Sequence, residues 1–145
     1  MVKRKSLAQW QGPLNKGKGT MKLASGAFEG NYSFASRFEQ GSGTNPEELI
    51  AAAHAGCYSM ALAHGLAQDG YFPKNIQTTA AATLDKVGDG FRITGIALET
   101  TAEVDEITKE TFMEQAENAK RNCPVSVALA GTEITLQAHL ENPTR

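Results

Sequence analysis

Alternation of apolar and polar residues predicts a long β-hairpin in the second half of the chain. Residues 76–84 place apolar or small side chains on one parity, and a Gly-Asp-Gly turn follows at 88–90. The alternation resumes over 93–102, but its parity changes around Thr94 and Gly95. Because one extra residue moves every later side chain to the other face, we expect a β-bulge at this dipeptide.

Shorter β-compatible segments lie near both ends of the chain. Residues 7–11, 20–24 and 32–35 are separated by glycines, which predicts a three-stranded antiparallel meander that residues 37–39 close. Residues 134–140 alternate cleanly between apolar and polar side chains, as a half-buried strand does. These residues are therefore expected to form the last strand.

The longest weakly polar segment predicts a helix with a strong N-terminal signal. Asn45 is the expected N-cap, Pro46 the first helical residue, and Glu48 is placed to complete a capping box. Residues 69–70, Asp-Gly, end the helix after about Gln68. The main apolar stripe comprises Leu49, Ala53, Cys57 (or Gly56), Met60, His64 and Ala67. Because alanines occupy the other sides, we expect a core helix buried on several sides, and not a membrane span.

A second helix and a short third helix are predicted on either side of a cysteine-proline pair. Thr108 is the expected N-cap of the second helix, and Pro124 stops it because proline disfavours helical geometry at the preceding residue. Pro124 can also begin a short helix through Leu129, with Cys123 as its N-cap. The apolar positions of the second helix are Phe112, Ala116, Ala119 and Cys123. The element order favours an α+β fold with antiparallel sheet packed on the helices.

Length and charge limit the classes of function. A chain of 145 residues with 41% hydrophobic residues is expected to form one domain, residues 1–145. Its net charge of -2 argues against nucleic acid or an anionic membrane as partner, and suits a small neutral molecule. Residues 6–12 lack the apolar core of a signal peptide, so the expected location is cytoplasmic. No phosphate loop or dinucleotide fingerprint occurs in the sequence, so no cofactor is expected.

Two cysteines, Cys57 and Cys123, are candidates for chemistry. A reducing cytoplasm keeps thiols free, so any pairing between them would be transient and chemical. A reactive thiol must be a thiolate, which needs a positive neighbour or a helix N-terminus. Cys123 has such an N-terminus and Cys57 does not, because the influence of the dipole fades within the first turn. This argument favours Cys123 as nucleophile, while the simpler alternative treats both cysteines as small buried hydrophobes.

Arg37 and Glu47 are the charged residues that could serve Cys57. Arg37 is the only Lys or Arg within residues 23–73, although a lone arginine is ordinarily a solvated surface charge. The capping box employs Glu48, whereas Glu47 gains only the modest benefit that the helix dipole gives any first-turn carboxylate. Glu47 is therefore the freer carboxylate for a second role.

The histidines do not form a convincing metal site with the cysteines. His54, Cys57, His64 and Cys123 could be imagined as a ligand set, but His54 and Cys57 have no matching pair elsewhere, which is a poor zinc pattern. His54 and His64 are interpreted as helix residues with a satisfied ring nitrogen, the alternative being a role in proton transfer. No metal is therefore expected.

Three segments resemble the osmotically inducible protein C family, relatives of the organic hydroperoxide resistance proteins. Residues 44–62 (TNPEELIAAAHAGCYSMAL) are similar to its first signature, residues 122–126 (NCPVS) to its second, and residues 37–39 (RFE) to its arginine segment. The resemblance implies antiparallel sheets wrapped around two central helices, and an intertwined homodimer with active sites at the subunit interface. That arrangement would explain a central helix that is apolar nearly all round.

The resemblance also implies a thiol peroxidase. Cys57 would reduce an organic hydroperoxide to an alcohol, Cys123 would close a disulfide onto it, and an external dithiol would restore both thiols. Arg37 would activate Cys57 and Glu47 would hold the arginine, which reverses the preference for Cys123 that follows from the helix dipole. An alternative from another class is a redox sensor or binding module that uses the same cysteine pair without steady turnover.

Overall fold

Two sheets and four helices make up the described part of the chain. The computed structural model describes residues 1–141, and the chain divides into two compact units, Met1–Leu49 and the remainder from Ile50 onward. The predicted α+β class is confirmed. The expectation that residues 1–145 act as a single domain stays a prediction.

The first unit contains a three-stranded antiparallel sheet. Its strands are β1 (Ser6–Gln11), β2 (Lys18–Leu23) and β3 (Glu29–Tyr32), and they pair in chain order. The predicted meander is therefore confirmed. Its third strand ends earlier than predicted, at Tyr32, and does not extend over residues 33–35.

A short helix, α1 (Phe34–Phe38), replaces the end of the predicted third strand. Ser33 is its N-cap and accepts from the backbone N–H of Ser36, while the Ser36 hydroxyl accepts from the backbone N–H of Ser33 at 2.8 Å. This reciprocal capping box satisfies two backbone donors at once. The strand predicted over residues 32–35 from their β-compatible composition is therefore wrong beyond Tyr32, because the two serines favour the start of a helix.

The long helix α2 (Pro46–Gln68) has the predicted bounds. The Asn45 side chain caps it by accepting from the backbone N–H of Glu48 at 2.8 Å. The predicted capping box is wrong in its second half, since the Glu48 carboxylate accepts from the Thr44 hydroxyl at 2.8 Å. Helix α2 ends in a turn where Gly70 has a φ of 87°, a conformation that glycine adopts without a steric penalty.

One stripe of α2 is buried within the second unit. Its members lie four residues apart and are His54, Tyr58, Leu62 and Leu66. The predicted stripe was wrong, because Ala53, Met60 and His64 are exposed. The expected burial on several sides does not occur within one chain, where Met60 is 76% exposed. An almost uniformly apolar helix has too weak a period to identify its buried face. By length and composition, α2 is the one helix among the described residues that could cross a membrane, a test that core helices also pass.

The second unit contains the long hairpin predicted from the alternation. Strands β4 (Asn75–Val87) and β5 (Gly90–Glu103) pair antiparallel. Gly95 lies opposite Thr83 while Ile93 lies opposite Leu84, which leaves Thr94 as the extra residue. The predicted bulge at Thr94 and Gly95 is confirmed.

The last strand, β6 (Glu133–Leu140), corrects the expectation of a wholly antiparallel sheet. It pairs with β5 in parallel, with Gly95 opposite Glu133 and Ala102 opposite Leu140. The chain between the two strands contains two helices, which return it to the end of the sheet where β5 began. The strand itself and its alternating exposure are as predicted.

The two later helices form as predicted. Thr108 caps α3 (Lys109–Asn122) by accepting from the backbone N–H of Thr111, and α4 (Pro124–Ala128) begins at Pro124 with Cys123 as its N-cap. The core of the second unit joins α2 and α3 to β5 through Tyr58, Leu62, Leu66, Ile96, Leu98, Phe112 and Ala116. This core fixes α2 against the end of α3, where Cys123 lies.

Candidate active site

The two cysteines lie side by side in the second unit. Cys57 lies about three turns from the start of α2 and Cys123 is at the junction of α3 and α4, and their Sγ atoms are 2.7 Å apart. Both are free thiols; Cys123 is fully buried, whereas Cys57 is partly exposed. Nearby, the Tyr58 hydroxyl donates to the carbonyl oxygen of Ala116 at 3.1 Å, which ties α2 to α3. The structure thus brings together the two thiols that the sequence separates.

Opposing influences act on the Cys57 thiol. Burial raises its pKa above the ordinary value, and the adjoining Cys123 thiol adds to the increase. A backbone interaction with Val125, in the first turn of α4, acts in the opposite direction and lowers the pKa. The sequence argument gave the N-terminus of α4 to Cys123 alone. The effect of Val125 on Cys57 adds a contribution that the sequence argument did not include.

Arg37 and Glu47 form an ion pair in the first unit. Arg37, in α1, donates from Nε to Glu47 Oε1 at 3.1 Å and from Nη2 to Oε2 at 2.9 Å. The Glu47 side chain is 8% exposed and that of Arg37 is 35% exposed. Two parallel charge-assisted hydrogen bonds fix both the distance and the plane of the guanidinium group. Glu47, and not Glu48, is therefore the carboxylate that holds the arginine.

Further hydrogen bonds set the position of α1 relative to the start of α2. The Ser36 hydroxyl donates to the carbonyl oxygen of Thr44 at 2.7 Å, and the Asn45 amide donates to the carbonyl oxygen of Ser36 at 3.0 Å. Asn45 also caps α2, so one side chain serves both helices. These bonds restrict the direction from which Arg37 reaches Glu47.

The two histidines have different surroundings. His64 is exposed, whereas His54 is fully buried and its Nε2 lies 2.8 Å from the Ser126 hydroxyl. The expectation of a satisfied ring nitrogen is confirmed for His54 at Nε2, while its Nδ1 has no hydrogen-bond partner among residues 1–141. Over the same residues no group of three or more His, Cys, Asp or Glu side chains could hold a metal ion. Ser126 was not among the predicted site residues, although it ends the second signature segment.

Comparison with known proteins decides the family. A family profile described as OsmC-like protein matches residues 39–138. The chain belongs to the OsmC-like family. It is 46% identical over 142 residues to "Peroxiredoxin OsmC" of Escherichia coli, which covers 97% of this chain and 99% of that protein. It is 32% identical over 98 residues to an organic hydroperoxide resistance protein of Xanthomonas axonopodis, covering 66% and 67% of the two chains.

Solved structures share the OsmC-like fold at lower sequence identity. An OsmC-like protein of unknown function from Vibrio cholerae aligns with a TM-score of 0.75 and 17% identity, covering 95% of this chain and 99% of that one. The organic hydroperoxide resistance protein OhrB of Bacillus subtilis aligns with a TM-score of 0.67 and 22% identity, covering 94% and 98%. The family resemblance noted at residues 44–62 and 122–126 is confirmed by the family profile and by the relative that is 46% identical.

Proposed function

We propose that this OsmC-like chain is a cysteine-based peroxidase that reduces organic hydroperoxides to alcohols. The observation that carries the proposal is the pair of free thiols, Cys57 and Cys123, with sulfur atoms 2.7 Å apart. The names of the relatives, a peroxiredoxin and an organic hydroperoxide resistance protein, point to the same chemistry. The net charge of -2 suits a small neutral substrate.

The proposed cycle has three balanced steps. The Cys57 thiolate attacks the terminal peroxide oxygen, so that an S–O bond forms, the O–O bond breaks, and the alkoxide takes a proton to leave as alcohol. Cys123 then attacks the Cys57 sulfenic acid, so that an S–S bond forms, the S–O bond breaks, and water leaves. An external dithiol reduces the disulfide by thiol exchange and is itself oxidised.

Exposure supports this division of roles between the thiols. A hydroperoxide must reach the sulfur that it oxidises, and only Cys57 of the two is partly exposed. Cys123 is fully buried against Cys57, which is where a resolving thiol must lie. The cycle also requires dithiols that keep the cysteines reduced, so we propose a cytoplasmic location.

Arg37 and Glu47 are proposed to activate the thiol. Burial raises the pKa of Cys57, so formation of its thiolate calls for a nearby positive charge. A guanidinium group would lower that pKa and stabilise the negative charge on the leaving alkoxide. Glu47 would orient it through the two hydrogen bonds described above.

An intertwined homodimer with active sites at the subunit interface is proposed from the uncovered face of α2. The exposed apolar or small residues on this face are Ala52, Ala53, Gly56 and Met60. In sedimentation velocity, Met60→Asp is expected to shift the chain toward monomer, while Val87→Asp at the hairpin tip leaves the dimer intact. A wild-type chain that sedimented as a monomer would contradict this arrangement.

Substitution of each cysteine tests the peroxidase directly. Cys57→Ser is expected to abolish consumption of cumene hydroperoxide in the presence of dithiothreitol. Cys123→Ser is expected to keep the first reduction but accumulate a Cys57 sulfenic acid that dimedone traps. Wild-type turnover by Cys57→Ser would refute the proposal. A wild-type chain that oxidised once and was not restored by dithiols would indicate a redox sensor instead.

A further inference from the structure

A second polar pair bridges the same two elements as the thiols. His54 lies three residues before Cys57 in α2, and Ser126 lies three residues after Cys123 in α4. His54 Nε2 and the Ser126 hydroxyl are 2.8 Å apart, and the two residues are 0% and 5% exposed. Each member of this pair is therefore about one helical turn from a cysteine.

Helix α4 has one buried side chain of its own. It has five residues, and its buried residue is Ser126. Its N-cap, Cys123, makes no side-chain capping hydrogen bond, and Val127 on its second half is exposed. The Ser126 hydroxyl is thus the buried side-chain group through which α4 contacts α2.

The buried pair of His54 and Ser126 does not satisfy all of its own hydrogen-bonding groups. Burial lowers the pKa of His54, so its ring is neutral near pH 7 and carries one N–H, while serine carries one O–H. One hydrogen bond joins them and uses one of these two hydrogens, and His54 Nδ1 stays without a partner among the described residues. Apolar side chains of similar volume would fill the site with no unpartnered polar atom. What the hydrogen bond adds is a fixed separation between α2 and α4.

We propose that the hydrogen bond between His54 and Ser126 is a clamp that positions α4 for disulfide closure between Cys57 and Cys123. The inference rests on the proposed peroxidase function for its role in turnover. His54 and Ser126 are positioning residues, because they act through the two cysteines and not on the substrate.

Loss of the clamp is expected to slow the second step of the cycle and spare the first. Closure requires the Cys123 sulfur to displace hydroxide from the Cys57 sulfenic acid along one line of approach. A misplacement of about 1 Å can reduce the rate of such an intramolecular step by up to about 100-fold. Attack on peroxide by Cys57 does not require the Cys123 sulfur to lie on that line.

The experiment follows the lifetime of the sulfenic acid after one equivalent of cumene hydroperoxide. Ser126→Ala is expected to prolong it about tenfold, whereas Ser126→Thr, which keeps the hydroxyl, restores closure. Ser59→Ala is the matched control, since it removes a hydroxyl that joins α2 to Thr78 of β4. Should Ser126→Ala not fold, His54→Leu removes the same bond and is compared with His54→Gln, whose amide can reach the position of Nε2.

A second measurement separates failure of the clamp from failure of the proposed function. The equilibrium between the dithiol and the disulfide in dithiothreitol buffers needs no peroxide, and Ser126→Ala is expected to disfavour the disulfide about tenfold. If Ser126→Ala has the same closure rate and the same dithiol–disulfide equilibrium as Ser59→Ala, the clamp is refuted. Wild-type peroxide consumption by Cys57→Ser overturns the peroxidase, while the equilibrium still supports or refutes the clamp.

Discussion

The ion pair between Arg37 and Glu47 is expected to contribute to the stability of the folded chain. Glu47 accepts two hydrogen bonds, at 3.1 and 2.9 Å, and its side chain is 8% exposed. In Glu47→Gln the amide nitrogen faces a guanidinium donor, so one hydrogen bond is lost and the other keeps its charged donor but has a neutral acceptor. A hydrogen bond to a charged group contributes about 1.5–3 kcal/mol, and partial hydration of Arg37 reduces that figure. We expect the free energy of unfolding to fall by about 2 kcal/mol.

Glu48→Gln is the matched control in urea denaturation. Glu48 lies in the same first turn of α2, loses the same charge, and bonds to the Thr44 hydroxyl, which an amide oxygen also accepts. Both variants lose a favourable interaction with the helix dipole of about 0.3–1 kcal/mol. The difference between their free energies of unfolding therefore measures the contribution of the hydrogen bonds to Arg37. Equal midpoints for Glu47→Gln and Glu48→Gln, with unchanged m-values, would refute the energetic importance of the pair.

The same pair is expected to govern the reactivity of Cys57. Arg37→Ala should raise the pKa of the Cys57 thiol and slow peroxide reduction, and Glu47→Ala should do the same more weakly. Because the arginine loses its role in either case, the double variant should be little worse than Arg37→Ala alone. Alkylation rate against pH measures the pKa. Identical thiol pKa values in wild type and Arg37→Ala would contradict activation, and additive rate losses would contradict the coupling.

Three further predictions concern stability. Leu62→Ala in the core should lower the free energy of unfolding, measured by urea denaturation, by about 2–5 kcal/mol. Leu14→Ala at an exposed position should change it little, and similar losses in the two variants would contradict the assigned core. Burial lowers the pKa of the His54 ring below its ordinary 6.5, so as the pH falls the unfolded chain protonates at this ring before the folded chain does. The free energy of unfolding should therefore decrease as the pH falls below 6.5, by at most about 1.4 kcal/mol per pH unit. His54→Gln should flatten that decline, and an unchanged slope would exclude His54 as its cause. In Arg37→Ala, burial that raises the pKa of the Cys57 thiol above its ordinary 9.0 is no longer offset, so stability under reducing conditions should fall as the pH rises past 9.0. The decline should be smaller when Cys57→Ser is added, and equal declines would exclude Cys57.

Local signals in the sequence were enough to predict most elements of the fold. The parity change at Thr94, the cap at Thr108 and the proline at position 124 each act through neighbouring residues, and each occurs as predicted. The errors at Ser33 and on α2 are of a different kind. At Ser33 two competing local signals were present, and on α2 the alanines erased the periodicity that would have identified the buried stripe.

Local sequence signals do not predict contacts between residues that are far apart in the chain. Parallel pairing of β6 with β5, the interaction of Val125 with Cys57, and the bond between His54 and Ser126 all depend on how separate elements pack. Residue types alone gave the candidates Cys57, Cys123, Arg37 and Glu47 only as possibilities. The family resemblance supplied their proposed roles, because motifs carry information about packing that periodicity does not.

Parallel pairing of β5 with β6 has a consequence for biosynthesis. The connection between these strands contains α3, Cys123 and α4, so β6 must be translated before it can pair and hold that connection in place. Cys57 leaves the ribosome well before Cys123 does. In that interval a nascent chain carries a single thiol with no internal partner, and its oxidation can be reversed only by thiols from outside the chain. Translation under peroxide stress should therefore yield mixed disulfides at Cys57 in nascent chains, and internal disulfides only in completed ones.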